Sequence, residues 1–525
     1  MNCSNGYLPE QTANFGGTLE TACLASIENL DPQRLIFKTD HKAASIVYEG
    51  LTAFTGKGDE PQPCLAERWI LSGDRKRVTF FLRDSVFFHD DPCFPDNKGR
   101  KFNADDVIYT FHRLADASTE CPEYSMFTGK IIGIDDYHLG HSSCIAGIEK
   151  IDSLTISFNL TRPYTAFLKY LATHICYIIP REAVTYYGDS FAYHPVGTGA
   201  FRLSRWKQLE ALYFERHPGY WKKNSSGQKL PYLNTIRMHL ISRPVIVLSE
   251  LYKGNLDLAA LNQQQFIHLK NRQEMQEMGL IIQSNPSYNI RFFAFSLETA
   301  DELGIKRDLR QAIALGFNRT TLQDSIKPNL AQTFVPPHFL PDNKTRWYNY
   351  DPIKSKTTAA HSGYRKAPLC IASNIESEEV IQLNHDCLQI GLNSNIFIKK
   401  SDYYAWVFKK RPLLFRVSFH PPYPDPEACY NLFYSKNKQS NITGYHNKDF
   451  DRLFESCLSE TDSLHRFSAF LNMEKLLKQD VPILLLTNEQ SVYHILNSQV
   501  NGFQIHFNIE DYSQVWLGKR DENPL

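Results

Sequence analysis

Apolar residues recur at every second position in several short segments of the chain. The alternation is present at 78–82, 201–203 and 212–214, and it is typical of strands with one buried face. Residues 18–22 also have a strand-like composition, and a helix-like stretch that stops at Gly50 comes after them. This succession of strand, turn and helix predicts an α/β protein.

Helical spacing is clearest in two other segments. Asn103 can cap a helix that continues to Leu114, with two aspartates in its first turn and apolar residues along one face. In 307–319 the apolar residues lie four apart on one face, which also predicts a helix. Residues 64–69 are predicted to form only a short helical turn.

The length and charge of the chain limit the number of domains and the binding partners that we expect. Its 525 residues are too many for one hydrophobic core, so two or three domains are expected. Lys plus Arg and Asp plus Glu both total 57, and this balance argues against binding to nucleic acid or to an anionic membrane. The sequence contains no run of about 18 apolar residues that would predict a transmembrane helix.

Motifs of common enzyme classes do not occur. The chain lacks a Gly-x-Ser-x-Gly elbow, a His-Glu-x-x-His motif and a P-loop, so we predict a protein that is not an enzyme and carries no cofactor. A hydrolase built on a pair of carboxylates is a weaker alternative, and a peptide-turnover assay distinguishes it.

One cluster has the side chains of a zinc site. His138, His141 and Cys144 are spaced three apart, and Asp135 and Asp136 precede them. Because no second pair of ligands follows at finger-like spacing, we predict no metal site in this segment.

A turn containing two glycines at 194–203 is the most distinctive motif. Gly197 and Gly199 permit either a positive φ or the close approach of another segment. Aromatic segments follow at 215–221 and 231–234. A nucleotide site is not predicted, because there is neither a third glycine at dinucleotide-motif spacing nor a Gly-Lys-Ser/Thr ending.

This turn resembles the signature of the solute-binding proteins that serve peptide, dipeptide and nickel ABC importers. Other segments that resemble the same family follow in consistent order from Gly17 to the C-terminus. They are 64–69, 78–83, 102–107, 255–258, 289–297, 307–319, 423–433 and 481–486. The resemblance implies a periplasmic-binding-protein-like α/β fold with two lobes, two crossing segments, an extra domain on the first lobe, and a ligand cleft between the lobes.

The same resemblance implies domain boundaries. We expect a leader or tether at 1–16, a first lobe at 17–60, 190–283 and 490–525, an extra domain at 61–189, and a second lobe at 284–489. Proteins of this family close around one ligand and deliver it to a membrane permease.

The implied function is capture of peptides or peptide-like solutes by a monomer that works with ABC permease subunits. Binding of haem or of a nickel complex on the same scaffold is one alternative. Another alternative is a protein that senses or tethers without delivering its ligand to a permease. Co-purification with permease subunits would distinguish delivery to a permease from sensing or tethering.

The chain departs from its family where peptide binders hold the ligand ammonium. That aspartate lies four residues before the proline of an Asp/Glu-Pro step, and counting back from Pro426 reaches Pro422. Proline offers no charge, so a free ammonium loses its counter-charge unless another acid substitutes. Arg416 matches an arginine of the oligopeptide binders and is a candidate for a ligand carboxylate, with a surface arginine at a strand end as the alternative.

Aromatic and polar residues near these positions are further candidates for the cleft. As single residues they fit a core or rim position equally well, but as a group they indicate a binding site. They are Tyr124, Tyr288, Asn289, Tyr403, Tyr404, Trp406 and Tyr423. His420, next to the predicted cleft, is a candidate ligand for a nickel complex or haem iron, or a histidine with no such role.

Cysteines give an indication of location. Cys3, followed by a polar stretch, looks like the acylated cysteine of a mature bacterial lipoprotein. On that interpretation the protein is periplasmic or in the cell envelope, anchored through Cys3 after removal of a signal peptide that this sequence does not contain. Eleven cysteines are an odd number, and those at 93, 121, 144 and 176 could pair in an oxidising compartment.

Overall fold

The computed structural model describes residues 13–24, 26–55, 58–298, 306–322, 326, 329–364, 368–507 and 509–518, with Glu274 and Gln276 described by their main chain alone. Cys3, and with it the predicted anchor, lies outside these residues. Three sheets organise the rest, and each is surrounded by helices.

The first lobe is built on a seven-stranded sheet. Its central strand, Thr18–Cys23, pairs in parallel with a strand on either side, and the other pairs are antiparallel. In spatial order the strands are Leu280–Pro286, Ser491–Asn497, Leu258–Leu261, Thr18–Cys23, Thr235–Leu240, Ala211–Arg216 and Phe201–Lys207. The strands predicted at 18–22, 201–203 and 212–214 are therefore confirmed.

The extra domain contains a four-stranded antiparallel sheet. Its strands in order are Ala66–Leu71, Arg77–Leu82, Thr155–Asn159 and Ile148–Asp152. Val78, Phe80 and Leu82 point into the core, as the alternation predicts. The prediction of a helical turn at 64–69 is wrong: from Ala66 the backbone pairs with the next strand, and this tertiary pairing overrides the helix propensity of the local sequence.

The second lobe is built on a mixed five-stranded sheet. In order its strands are Ser394–Ile398, Leu369–Ser373, Leu414–Phe419, Ile290–Phe295 and Ile483–Asn488. The chain enters this sheet through 287–289 and returns to the first sheet through 489–490, so two short segments connect the lobes.

Short two-stranded sheets and helices complete the described fold. The strand pairs are Thr52–Ala53 with Gln62–Pro63, Val500–Asn501 with Trp516–Leu517, and Gln504–His506 with Ile509–Asp511. The α-helices are Lys38–Val47, Ala104–Ala115, Ile134–His138, Phe167–Tyr170, Arg181–Tyr187, Pro244–Tyr252, Gln263–Leu269, Gln273–Glu277, Arg307–Gly316, Pro352–His361, Glu378–Gln389, Tyr403–Lys410, Pro426–Tyr430, Lys448–Ser459 and Ser463–Asp480. None of these helices is long and apolar enough to span a membrane.

Helix Ala104–Ala115 begins as the sequence predicts. The Asn103 side chain accepts a hydrogen bond from the Asp105 backbone, and the Asp106 carboxylate accepts one from the Asn103 backbone. This capping box satisfies two backbone N–H groups that would otherwise lack partners.

The two glycines of the distinctive turn are required by close packing. A Cβ on Gly197 would lie 2.2 Å from the Val47 carbonyl oxygen, and one on Gly199 would lie 2.7 Å from the same oxygen. The Gly199 backbone donates to that oxygen over 2.9 Å. The turn therefore packs directly against the end of helix Lys38–Val47.

Apart from Cys23, the cysteines that the structure describes are free thiols. Cys93, Cys121, Cys144 and Cys176 are among them, so the pairing considered for these four does not occur in this structure.

Candidate ligand cleft

The second lobe contacts the extra domain along one edge of the cleft. The Lys169 ammonium donates to the Pro424 carbonyl over 3.1 Å and lies 3.4 Å from the Asp425 carboxylate. The Thr165 backbone donates to the Leu458 carbonyl over 2.9 Å. Since both donors belong to the extra domain and all three acceptors to the second lobe, the lobes are in direct contact.

A first-lobe segment that precedes and begins helix Lys38–Val47 has exposed side chains. Ile36 and Phe37 are 70% and 51% exposed, and the Lys38 side chain is also exposed. Desolvation nevertheless lowers the pKa of the Lys38 ammonium, partly offset by Glu489 and Glu510.

Three histidines from different parts of the fold meet beside Lys38. The rings of His41 and His174 are 3.9 Å apart, and His420 of the second lobe is close enough that the charges of Lys38 and His41 lower its pKa, after burial. The Nε2 atom of each histidine is buried and has no hydrogen-bond partner among the residues that the structure describes. Burial lowers the pKa of His41 to about 4 and those of the other two well below normal, so all three are neutral at pH 7.

Glu123 is an unpaired acid in the extra domain. It is half-buried, and its Oε2 atom is enclosed without a hydrogen-bond partner. Desolvation alone raises the pKa of its carboxyl to about 7. The Glu123 charge contributes to the raised thiol pKa values of Cys121 and Cys176, for which burial is the largest cause. No cation among the described residues lowers the pKa of the Glu123 carboxyl.

Arg416 is buried and already paired. It is 5% exposed, and its Nε atom donates to the Glu379 carboxylate over 3.0 Å. It is therefore not the surface arginine that was the alternative, and its charge is matched within the second lobe.

Three predicted residues, Tyr404, Asn289 and Tyr288, are connected to one another through Ser418 and the crossing segment. The Ser418 hydroxyl and the Asn289 side-chain oxygen are 3.3 Å apart, and the half-exposed Tyr404 donates to the Ser418 carbonyl over 3.2 Å. Tyr288 lies in the crossing segment beside Asn289 and donates to Asp59 of the first lobe over 2.8 Å. These residues connect the crossing, the second-lobe strand and the first lobe.

Other predicted residues lie away from this group. Tyr403 is buried and donates to the Arg416 carbonyl, and Trp406 stacks on Phe397 with 4.9 Å between the rings. Tyr423 is buried against Tyr170, with ring centres 4.9 Å apart. These three side chains contact other protein groups.

Tyr124 lies at a separate cavity of about 670 Å³ between the extra domain and the second lobe. Its hydroxyl donates to Asp135 over 2.9 Å, and its ring stacks on His138. His138 Nδ1 lies 2.8 Å from the Ala115 carbonyl oxygen. Within the described residues no group of three His, Cys, Asp or Glu side chains is arranged to hold a metal ion.

Lys38, His41, His174 and Glu123 did not emerge from the sequence. Lys38 and His41 share one helix, but Glu123 and His174 belong to segments distant from that helix along the chain. The signal available in the sequence was a lysine directly after two large apolar residues in a loop, and an acid beside Tyr124.

The sequence matches one protein-family model and is similar to characterised proteins. The family model described as "Bacterial extracellular solute-binding proteins, family 5 Middle" matches residues 60–441. The dipeptide-binding protein of Pseudomonas aeruginosa is 25% identical over 513 residues, covering 90% of each chain. Heme-binding protein A of Haemophilus influenzae is 25% identical over 483 residues, covering 86% of this chain and 83% of that protein.

Solved structures support the architecture. The periplasmic binding protein DppA from Helicobacter pylori, solved with the peptide STSA, superposes with a TM-score of 0.80 at 21% identity, covering 96% of this chain and 99% of that one. This likeness confirms the predicted α/β fold with two lobes.

Proposed function

The chain belongs to family 5 of the bacterial extracellular solute-binding proteins, and on that premise we propose that it captures peptides or peptide-like solutes between its lobes and delivers them to an ABC permease. The relatives from Pseudomonas aeruginosa and Helicobacter pylori support peptides as the solute, by their names. Capture followed by release needs no chemical conversion, which agrees with a protein that is not an enzyme.

The observation that carries the proposal is the desolvated, polar lining of the cleft. Lys38 and the unpartnered Nε2 atoms of His41, His174 and His420 lie where both lobes meet. Unpaired polar groups in a desolvated space are costly unless a ligand pairs with them. Because closed lobes exclude water, each polar contact with a ligand is stronger there than in bulk solvent.

Thermal unfolding with a mixed library of dipeptides to pentapeptides tests the proposal. A ligand at about 100 times its dissociation constant stabilises the folded state by ~2.7 kcal/mol, so a clear rise in melting temperature is expected. Absence of a shift with every peptide pool, together with a shift caused by haem or a nickel chelate, would contradict the proposal.

Haem or a nickel complex is the second candidate ligand. The three unpartnered imidazole nitrogens favour it, because neutral imidazole is a ligand for both metals. Haem binding is also in the name of the Haemophilus influenzae relative. An absorbance titration with haem distinguishes this candidate, since axial ligation by histidine changes the haem spectrum and peptide binding does not.

The remaining parts of the proposal concern location, partners and boundaries. The protein would act as a monomer outside the cytoplasm, with Cys3 as its lipid anchor and permease subunits as partners. Co-purification with those subunits separates this role from sensing or tethering. The divisions at 61–189 and 284–489, and the contribution of the predicted cleft residues to ligand binding, are proposed on the same basis.

A further inference from the structure

The cavity of about 670 Å³ between the extra domain and the second lobe is lined mainly by positive charge. Its described lining contains four lysine and arginine side chains and one carboxylate: Lys130 and Arg162 from the extra domain, and Lys436, Lys438 and Glu455 from the second lobe. The volume lies in the range of small-molecule sites. Because a concave surface of one charge sign concentrates counter-ions, this cavity favours an anionic occupant.

Glu455 is already bound within the second lobe. Its Oε1 atom accepts hydrogen bonds from the Lys436 ammonium and the Tyr434 hydroxyl, both over 2.6 Å. These two bonds, the one from Lys436 first, hold the pKa of the Glu455 carboxyl below its usual value. The other three cations that line the cavity form no ion pair among the residues that the structure describes.

The Lys130 ammonium retains hydrogen-bonding capacity at the cavity. It donates to the Met126 carbonyl over 2.6 Å, and since an ammonium has three N–H donors, two remain for a ligand. Burial lowers the pKa of Lys130 to about 8, and the charge of Arg162 adds to this effect, while Glu427 and Asp135 partly offset it. The ammonium is therefore charged at pH 7 but poorly solvated, and an anion beside it would be stabilising.

Arg162 lies at the boundary between the extra domain and the second lobe. Its guanidinium donates to the Glu455 carbonyl over 3.3 Å and lies 5.2 Å from the centre of the Tyr164 ring. A second contact crosses the same boundary, where the Ser125 backbone donates to the Gln439 side-chain oxygen over 3.2 Å. The cavity thus has walls from both parts of the protein, and one occupant can contact cations of both.

We propose that this cavity binds a small multivalent oxyanion, carrying phosphate or carboxylate groups, that bridges Lys130 and Arg162 of the extra domain and Lys438 of the second lobe. Guanidinium and ammonium groups form charge-assisted hydrogen bonds with both kinds of oxyanion. Cations from two parts of the protein are matched better by two or more anionic groups than by one. The inference does not depend on peptide binding, because the group of residues around His420 contributes nothing to this lining.

Isothermal titration of the full chain with pyrophosphate, citrate and inorganic phosphate, at constant ionic strength, tests the proposal. Pyrophosphate and citrate distinguish phosphate groups from carboxylates, and inorganic phosphate shows whether one anionic group is sufficient. The variants are Arg162→Met and Lys438→Met, one on each side of the cavity, and Arg162→Lys keeps the charge. The matched control is Lys448→Met, an exposed lysine of the helix that carries Glu455, outside the cavity lining. Thermal unfolding confirms that each variant is folded.

The wild-type protein should bind pyrophosphate or citrate more tightly than inorganic phosphate. Arg162→Met and Lys438→Met should each weaken that binding by roughly tenfold, whereas Lys448→Met binds as wild type and Arg162→Lys retains most of the affinity. The inference is overturned if neither pyrophosphate nor citrate binds the wild type, or if either methionine variant at the cavity binds as tightly as Lys448→Met. No peptide is present in this titration, so its failure leaves the proposed function standing.

Discussion

The ammonium of Lys169 and the carboxylate of Asp425 lie 3.4 Å apart across the boundary between the extra domain and the second lobe. Both side chains are largely buried, and the same ammonium donates to the Pro424 carbonyl. Asp425 also binds Arg466 on its own lobe, so it does not depend on Lys169 for a partner. The contact therefore links the lobes without being needed for the second lobe to fold.

We expect Lys169→Met to weaken the closed arrangement. Lys169 also lies 3.1 Å from the Glu60 carboxylate. The loss of its two charge-assisted contacts with the second lobe corresponds to about 1–2 kcal/mol, or roughly tenfold weaker ligand binding. The loss of affinity should be the same for peptides with free ends, with an amidated C-terminus and with an acetylated N-terminus. The reason is that the substitution affects lobe closure and not the binding of either end of the ligand. Small-angle scattering with and without peptide measures the closure directly. If the variant has the same affinity and the same radius of gyration as wild type, this contact has no role in closure.

Substitution of Glu474 by Ala should strongly destabilise the second lobe. The buried carboxylate accepts hydrogen bonds from the Phe334 backbone over 2.6 Å, the Trp347 indole over 2.6 Å and the Tyr430 hydroxyl over 2.9 Å. Its removal leaves three buried donors without partners, which corresponds to roughly 3–5 kcal/mol. Urea unfolding measures the change, and a loss below about 1 kcal/mol would contradict this account.

Gly197→Ala should disrupt the contact between the glycine turn and helix Lys38–Val47. The added Cβ would lie 2.2 Å from a backbone oxygen, which cannot move as a flexible side chain can. We expect a loss of roughly 3 kcal/mol or failure to fold. Gly73→Ala is the matched control, since a Cβ there has no neighbour within 4 Å. Equal melting temperatures for the two variants would refute the packing explanation.

The raised pKa of Glu123 predicts a stability change that depends on pH. The carboxyl has a pKa of about 7 in the folded protein, above its ordinary value of 4.5, so folding favours the protonated form. This contribution is fully present below pH 4.5 and is lost as the pH rises through about 7. Glu123→Gln keeps a neutral side chain at every pH and avoids that loss.

The unliganded Glu123→Gln variant should thus match wild type near pH 4.5 and be more stable by roughly 1–3 kcal/mol at pH 8. Urea unfolding at both pH values, with Glu120→Gln as the control, checks this. A variant that is no more stable than wild type at pH 8 would indicate that the Glu123 carboxylate is not desolvated.

Much of the fold could be predicted because its signals are local. The capping box at Asn103 and the alternation at Val78–Leu82 depend on neighbouring residues, and both are present in the structure. The exception at 64–69 arises where pairing with a strand further along the chain decides the conformation. The sequence left two explanations open for Gly197 and Gly199, and the packing against Val47 selects close approach.

The cleft was harder to predict, because chain position does not determine which way a side chain points. Arg416 lies on a strand that borders the cleft, yet it turns inward to Glu379. Lys38 and Glu123 lie in segments with no motif of their own, and the groups around them are evident only from the structure. The roles of the nine predicted cleft residues remain predictions.

Mass spectrometry of the solute released on denaturation tests the central claim most directly. The protein is purified without denaturant from the cells that produce it, unfolded, and its small-molecule fraction is sequenced by fragmentation. We predict short peptides with free amino and carboxyl ends, bound in a molar ratio close to one. Recovery of haem or a metal chelate in that ratio, without peptides, would contradict the claim that the cleft holds peptides.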